Sequence, residues 1–566
     1  MVTRRQFALA VATSVRSRAA GSTLSADVVI YGGSPAGLAA AATVKREGAT
    51  AIVVEPTAHI GGLITGGIAC TDTGTPQFVG GLSAGFFDAV SEETRRLYPQ
   101  PAKPVLRFRG QLMEWRPPRP WDLEPKVARR IFESWVEKGG YPLIRSRRVS
   151  AVAVKTRRIT GIRLTDGTDL TAKVFIDASY EGDLMSRANV PYTWGRESRS
   201  EFDESLAGVR APHFKGNYSQ EYYSKPGIEY THHGQFGADI PARVHGKLLW
   251  GVSGQPLPPE GSADRRVQAY CFRLIATQRD DLRVPWPRPK RYTPGHHELL
   301  LRYLQAHPGI SFARLVHFSA IPNGKFDLNA SGPFSIDYVG GNFEYPDGDY
   351  IKRDRIFEDH LDYQQGFLWF LAHDARVPRQ LRDEVNSWGL CSDEYPDTGH
   401  WPVQLYIREA RRMRGDYVMT EHDILTRKTK DDSVGMGSFV LDSHWVQRFA
   451  DTNGNVRIEG HLDESIRLDD APYEIPYRCL TPRADDCTNL LVPVCLSATH
   501  VALCTIRMEP VYMMMGHAAG LAAVRAARTG ADVQALDGAD LAKVLRQQGG
   551  VCHRDEARKV PATPAI

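Results

Sequence analysis

Two histidines and one arginine could transfer a proton or bind an oxygen atom. His500 lies between an apolar strand-like run and a helix-like run, and His444 ends the segment 436–444. A free imidazole titrates near neutral pH, so either histidine could act as a general base. Arg507 could bind a substrate or cofactor oxygen, or could pair with Glu509 or another acid. The sequence therefore predicts His500 as the first candidate base, His444 as the second, and Arg507 as a binding group.

A glycine-rich turn near the start of the chain predicts a dinucleotide site. The apolar run 26–31 reads as a strand and leads directly into Gly32-Gly33-Ser34-Pro35-Ala36-Gly37. Gly32 permits a tight turn, Gly37 permits close helix packing, and the helix start offers N–H groups to a pyrophosphate. Glu55 ends the next apolar strand, where its carboxylate could accept hydrogen bonds from a ribose diol. The residues predicted to bind the nucleotide are Gly32, Gly33, Ser34, Ala36, Gly37 and Glu55.

Composition restricts the classes of protein that the chain could form. The 566 residues are 42% hydrophobic and 24% charged, which is typical of a globular protein rather than a disordered or collagenous chain. No apolar run reaches the roughly 20 residues that a transmembrane helix needs. The net charge of +4 equals the four arginines of the first 21 residues, which contain no acid. The rest of the chain is close to neutral, so no nucleic-acid partner is expected.

The cysteines and paired histidines do not predict a metal centre. None of the eight cysteines falls in a C-x-x-C pair, and His232-His233 and His296-His297 lack further ligands at suitable spacing. Cys495 has no closely spaced partner for disulfide exchange, whereas Cys479 and Cys487 could form a structural disulfide. We therefore expect no bound metal.

The first residues are similar to an export signal. Thr3-Arg4-Arg5-Gln6-Phe7 has the twin-arginine pattern, and Ala19-Ala20-Gly21 offers small residues for cleavage. A ragged basic N-terminus is the alternative. Residues 1–25 are predicted to be a twin-arginine signal peptide. A periplasmic or secreted protein is therefore expected, with a cytoplasmic protein as the alternative.

Four further stretches resemble one family of enzymes. They are residues 172–183, 322–329, 406–413 and 495–520. With the glycine-rich turn, they resemble the FAD-dependent oxidoreductase family of the glutathione-reductase structural class, over residues 27 to about 550. More closely, the chain is similar to an exported branch in which some members carry the label xanthan lyase.

The resemblance implies FAD as the cofactor. The Gly61-Gly62 pair would let the backbone approach the flavin, and residues 172–178 would return the chain to the nucleotide. A helix that starts near Pro510 would direct its N-terminus at the flavin pyrimidine edge. The further residues expected at the cofactor are Gly61, Gly62, Val149, Asp177, Ala178, Cys495, Gly516, Ala519 and Gly520.

The implied fold is α/β, with a Rossmann-like FAD-binding domain that is discontinuous in sequence. This domain is predicted to consist of residues 26–200 and 471–550, with an inserted α+β substrate or cap domain at 201–470 and a tail at 551–566. The hairpin 149–155/159–164 is expected to turn at Thr165-Asp166-Gly167. Within the insertion, 354–373 and 404–413 are predicted to be helices and 325–350 an irregular loop.

The polar residues of the insertion suggest a polyol substrate. Asn323, Lys325, Asp327 and Asn329 alternate with other residues, so a strand would place all four on one side. Such a row beside Trp369, Trp388 and Trp401 would suit a sugar ring, and a solvated loop is the alternative.

We expect an FAD-dependent oxidoreductase that takes hydride from a CH–OH or similar group of a small-molecule or carbohydrate-like substrate to flavin N5. The alternatives are a polysaccharide lyase-type flavoprotein and a non-catalytic flavoprotein that binds carbohydrate. No second dinucleotide fingerprint predicts a tight NAD(P)H site. The electron acceptor and the oligomeric state stay open.

Overall fold

The computed structural model describes residues 23–99, 107–108, 111–112, 119, 121–210, 236–462 and 472–559. Nearly all of the predicted signal peptide, the His232-His233 pair and residues 560–566 of the predicted tail lie outside these residues. No helix in the described ranges is both long and apolar enough to cross a membrane.

The strands of the described chain are β1 (Thr23–Tyr31), β2 (Ala51–Glu55), β3 (Arg107–Phe108), β4 (Gln111–Leu112), β5 (Leu143–Arg145), β6 (Val149–Lys155), β7 (Arg158–Leu164), β8 (Asp169–Asp177), β9 (Tyr192–Thr193), β10 (Arg243–Val244), β11 (Lys247–Leu248), β12 (Leu274–Thr277), β13 (Arg283–Val284), β14 (Val316–Ile321), β15 (Lys325–Ala330), β16 (Gly389–Cys391), β17 (Arg412–Met413), β18 (Ser433–Gly437), β19 (Gln447–Ala450), β20 (Val456–Glu459), β21 (Tyr473–Pro476) and β22 (Leu490–Leu491).

The α-helices of the same ranges are α1 (Pro35–Arg46), α2 (Gly62–Gly66), α3 (Gly81–Leu97), α4 (Pro125–Gly139), α5 (Asp183–Arg187), α6 (Arg199–Phe202), α7 (Glu298–Ala306), α8 (Tyr350–His373), α9 (Arg379–Asn386), α10 (Glu421–Thr426), α11 (His500–Ile506), α12 (Glu509–Thr529) and α13 (Gly538–Gln547).

The main sheet has the order β5-β2-β1-β8-β7-β6, and β22 also pairs with β8. Strand β1 runs parallel to β2 and β8, with Val28 opposite Ala51 and Val174. The apolar run 28–31 is fully buried, as expected for a parallel strand covered on both faces. The predicted α/β class is confirmed. Residues from the N-terminal part and from the C-terminal part of the chain meet in this one sheet.

The predicted hairpin forms, but its turn lies elsewhere. Strands β6 and β7 pair antiparallel, with Lys155 opposite Arg158. The turn is therefore Thr156-Arg157, whose φ angles of 48° and 62° fit a tight two-residue hairpin turn. Thr165-Asp166-Gly167 instead connects β7 to β8, so the prediction placed the turn one connection too late.

A second, antiparallel sheet has the order β13-β16-β12-β15-β14. Strand β15 covers residues 325–330, so the prediction of an irregular loop from 325 was wrong there. The buried pairs of Ala276 with Phe326 and of Leu274 with Leu328 explain the strand, because apolar side chains alternate with Lys325 and Asp327.

The predicted helix 354–373 lies within α8, but the predicted helix 404–413 does not form. That segment has no helical turn, and its last residues form the two-residue strand β17. Arg408, Arg411 and Arg412 pair with acids from three different parts of the chain, Asp337, Asp183 and Glu197. A helix would confine these side chains to fewer directions, so tertiary ion pairs override the local pattern.

Candidate functional site

A cavity of about 500 Å³ lies where β1, β2 and β8 end. Gly32, Ser34, Glu55 and Ala178 line the side next to the sheet. Residues of helix α8 and of the segment 401–405 also line the cavity. In an open α/β sheet, ligands bind in the crevice outside the carboxyl ends of the strands. The cavity has the position expected of a dinucleotide site.

The turn between β1 and α1 is shaped for close approach. Gly32 has a φ of 104°, and a Cβ atom there would lie 2.6 Å from the backbone of Ala178. A Cβ atom on Gly37 would overlap the carbonyl oxygen of Gly32. The Ser34 hydroxyl donates to the Ala178 carbonyl at 2.7 Å and accepts the Gly37 N–H at 3.2 Å. Ser34 therefore caps α1 and ties the turn to β8.

Glu55 is buried at the edge of this cavity. Its Oε2 accepts the Gly33 N–H at 2.8 Å, and its Oε1 accepts the Thr57 N–H at 2.7 Å. Burial raises the pKa of Glu55 to about 7, although the hydrogen bonds from Thr57 and Gly33 oppose the rise. The carboxyl group is thus held beside the glycine-rich turn, where the sequence predicted a partner for ribose.

Tyr180 and Glu509 form a polar pair that the sequence analysis did not predict. Tyr180 lines the cavity, and its hydroxyl accepts the Leu63 N–H at 3.0 Å and donates to Glu509 Oε1 at 2.7 Å. Glu509 begins α12, and its buried Oε2 has no hydrogen-bond partner among the described residues. Burial raises the pKa of Glu509 to about 8. The only sequence signal was an acid directly before Pro510 at a predicted helix start.

Not every residue predicted at the cofactor lines the cavity. Gly62 does, together with Gly32, Ser34, Glu55 and Ala178. The predicted residues outside its lining are Gly33, Ala36, Gly37, Gly61, Val149, Asp177, Cys495, Gly516, Ala519 and Gly520.

Several of these residues shape or pack the elements that form the cavity, although they do not line it. Asp177 accepts hydrogen bonds from the backbone N–H groups of Ser179 and Met185 and so shapes the end of β8. A Cβ atom on Gly520 would lie 2.6 Å from the Ala40 carbonyl oxygen. Gly520 therefore lets α12 pack against α1, and the small residues of α12 make helix contacts.

A cluster of charged side chains lies next to the segment that lines the cavity. Tyr406 follows the lining residue Leu405, and its hydroxyl accepts a hydrogen bond from Arg507 at 2.7 Å. Arg507 also pairs with Asp442 at 2.7 Å, and Asp442 Oδ1 lies 3.8 Å from His444 Nε2. Two of the three predicted catalytic residues, His444 and Arg507, are thus brought together. Asp442, which joins them, was not predicted.

Further ionisable groups complete this cluster. Asp327 pairs with Arg273 at 2.8 Å and accepts the N–H groups of Ala69 and Cys70. Burial and the nearby Asp442 raise the pKa of Asp72 to about 6, whereas Arg273 opposes the rise.

His500 belongs to a separate contact. It is the first residue of α11, and its Nδ1 lies 2.8 Å from Glu409 Oε2. Burial disfavours the charged form of Glu409, but His500 and Arg412 outweigh this effect and lower the pKa of Glu409 to about 2. His500 Nε2 is buried without a hydrogen-bond partner among the described residues. His500 does not line the cavity, and it does not contact Arg507. Its catalytic role stays a prediction.

The polar residues Lys325 and Asp327 of β15 are buried and make ion pairs inside the protein. Lys325 is buried and pairs with Glu124, Asp393 and Glu394, so these three carboxylates surround an ammonium group. Trp388 packs against Phe318 and Phe326 in the core. Of the three tryptophans considered for a sugar, Trp401 lines the cavity.

All eight cysteines fall within the described residues, and all are free thiols. Cys479 and Cys487 are therefore not joined by the disulfide that their positions allowed. Cys495 Sγ lies 3.4–3.5 Å from the carbonyl oxygens of Ser179 and Tyr180, so it contacts the backbone behind the cavity.

The fold and the cavity define a nucleotide-binding α/β protein, and its residues fit FAD. The glycine turn leaves no room for a Cβ atom, Glu55 stands at the cavity edge, and Glu509 presents an unpartnered carboxyl oxygen beside Tyr180. A family model described as FAD dependent oxidoreductase matches residues 27–545. The chain belongs to the FAD-dependent oxidoreductase family, and it is an enzyme with FAD as its cofactor.

Other comparisons give only partial likeness. A search of curated proteins finds no match. OxyS anhydrotetracycline hydroxylase from Streptomyces rimosus is 15% identical, with 33% of this chain and 41% of that chain covered and a TM-score of 0.22. A flavin-containing monooxygenase from Stenotrophomonas maltophilia is 19% identical, with 31% and 43% covered and a TM-score of 0.19. L-amino acid deaminase from Proteus vulgaris is 14% identical, with 32% and 55% covered and a TM-score of 0.23.

The chain spans less than two thirds of each of these proteins. Such likeness carries no argument about the substrate.

Proposed function

We propose that the protein oxidises a CH–OH group of a carbohydrate-like substrate. FAD, when bound, supplies the acceptor for the hydride at its N5 atom. The observation that carries the proposal is the cluster of His444, Asp442 and Arg507. Arg507 contacts Tyr406, which directly follows the cavity-lining segment 401–405. Oxidation of an alcohol requires a base for the hydroxyl proton and a positive group near the oxygen, and this cluster offers both.

His444 is proposed as the base. Burial lowers the pKa of His444, and the Arg408 guanidinium lowers it further while Asp337 opposes the shift. The imidazole is therefore neutral near pH 7 and able to accept a proton. Arg507 stays charged because Tyr406 and Asp442 raise its pKa against the effect of burial. Its guanidinium would stabilise negative charge on the substrate oxygen as the proton leaves.

The composition of the cluster supports a polyol. Asp72 and Asp442 are close enough for one carboxyl to raise the pKa of the other, and Arg273 and Arg507 lie beside them. Carboxylates accept hydrogen bonds from hydroxyl groups and arginines donate them, so this set matches neighbouring hydroxyls of a sugar ring.

We propose that the fold is of the glutathione-reductase class with residues 201–470 as an inserted cap. Helix α8 supports this division, because it belongs to residues 201–470 and lines the same cavity as the glycine turn. The proposal also includes export, which the twin-arginine pattern at Arg4-Arg5 and the near-neutral body of the chain support.

The test is anaerobic mixing of the FAD-loaded protein with a panel of neutral sugars, sugar acids and polyols. Loss of the oxidised flavin absorbance together with a carbonyl product supports the proposal. An unsaturated product without net flavin reduction would identify a polysaccharide lyase. Binding with neither change would identify a carbohydrate-binding flavoprotein, and both of these results overturn the proposal.

A further inference from the structure

The two nitrogens of the His444 ring have different surroundings. His444 Nδ1 lies 2.6 Å from Asp337 Oδ2, whereas Nε2 lies 3.8 Å from Asp442 Oδ1. The first distance is that of a strong hydrogen bond, and the second is too long for one. A neutral imidazole carries one proton, and a carboxylate at hydrogen-bond distance requires that proton on the nitrogen facing it. The geometry therefore assigns the proton to Nδ1 and the lone pair to Nε2.

Asp337 is itself held in one orientation. Its Oδ1 lies 3.0 Å from Arg408 Nη1, and Arg408 also donates to the Ala269 carbonyl. The Arg408 guanidinium lies over the Tyr406 ring, 4.6 Å from its centre. Both the Asp337 and Arg408 side chains are almost fully buried, at 2% and 0% exposure. Burial disfavours the charged form of Asp337, but Arg408 and His444 outweigh this effect and hold the pKa of Asp337 well below its usual range.

We infer that Asp337 is a positioning residue that keeps His444 in the Nδ1–H tautomer and so directs Nε2 to accept the substrate proton. The inference rests on the proposed function for the identity of that proton, but the tautomer itself does not depend on it. FAD, when bound, would supply the acceptor for the substrate C–H hydrogen and its electron pair, and the hydroxyl proton would move to Nε2. The substrate becomes a carbonyl compound, and the positive charge on His444 faces the Asp337 carboxylate.

The first test reads the tautomer directly. Holoenzyme labelled with ¹⁵N-histidine is compared with the His444→Gln variant, so that the resonances lost in the variant belong to His444. We expect a protonated Nδ1 and an unprotonated Nε2 in the wild-type protein near neutral pH. A proton on Nε2 in the wild-type spectrum overturns the inference, and this result requires no Asp337 variant to fold.

The second test removes the charge of Asp337 while nearly preserving its shape. Asp337→Asn is expected to shift the His444 proton to Nε2 and to slow flavin reduction by about 10²–10⁴-fold, as in other histidine–carboxylate pairs. FAD content should not change, and Asp337→Glu should recover part of the rate. The matched control is Glu409→Gln, which removes the corresponding carboxylate from His500.

The two variants separate a positioning role from a structural one. Equal losses of rate in Asp337→Asn and Glu409→Gln, or an unchanged His444 tautomer in Asp337→Asn, would overturn the inference. If no alcohol reduces the flavin of the wild-type protein, the proposed function fails. The tautomer measurement still decides whether Asp337 orients His444.

Discussion

The replacement Gly32→Ala tests whether the glycine turn is the FAD site. The new Cβ atom would lie 2.6 Å from three backbone atoms of Ala178 and Ser179, and this separation must grow by about 0.8 Å to reach ordinary contact at 3.4 Å. The φ of 104° adds strain for any residue with a side chain. Left-handed strain costs about 1–3 kcal/mol and overpacking another ~1–3 kcal/mol.

Relief of this clash would move the turn away from Ala178 and displace the N–H groups that would bind the pyrophosphate of FAD. A loss of only about 2 kcal/mol in binding corresponds to roughly 30-fold weaker FAD affinity. The assay is fluorescence titration of apoprotein with FAD, combined with a thermal melt without FAD. Gly85→Ala is the matched control, because a Cβ atom on this exposed glycine of α3 meets nothing within 4 Å. If Gly32→Ala binds FAD within threefold of wild type, the assignment of this turn to the cofactor is wrong.

Three further predictions concern the base, a buried acid and export. His444→Ala should slow flavin reduction by about 10²-fold or more with FAD retained, and His500→Ala by less than tenfold; stopped-flow rates in the opposite order would make His500 the base. Burial raises the pKa of Glu509 to about 8, so the folded protein keeps a proton that the unfolded chain releases, and this stability is lost as pH rises from about 4.5 to 8. Apoprotein with Glu509→Gln should therefore melt like wild type near pH 4, where folded and unfolded chains both keep the Glu509 proton, and higher than wild type at pH 9. Equal melting temperatures of the two proteins at pH 9 would count against the buried acid. Changing Arg4 and Arg5 together to Lys should retain the protein in the cytoplasm, and fractionation that shows unchanged export would contradict the twin-arginine interpretation.

The glycine turn could be predicted because its constraint is local. Gly32, Gly37 and Glu55 follow from the backbone needs of one strand–turn–helix unit. The structure places Gly32 directly after β1, Gly37 in the first turn of α1 and Glu55 at the end of β2. The parallel sheet follows from the same segment, since apolar residues without alternation indicate a strand covered on both faces.

The charged cluster could not be predicted, because its members come from distant parts of the chain. Asp442 pairs with Arg507, and Asp337 pairs with His444. Spacing along the sequence does not show such contacts. The segment 404–413 illustrates the same limit. Its arginines pair with buried acids from distant parts of the chain, and these ion pairs hold the segment in a non-helical conformation.

The most direct test of the central claim is single-turnover reduction of the bound FAD by a polyol deuterated at the CH–OH carbon. The experiment is anaerobic and monitors oxidised flavin absorbance and product together. If hydride transfer to FAD is the reaction, the deuterated substrate reduces the flavin more slowly than the unlabelled one, and one carbonyl product forms per flavin. Product formation without flavin reduction, or identical rates of flavin reduction by the two substrates, would contradict the proposed oxidation.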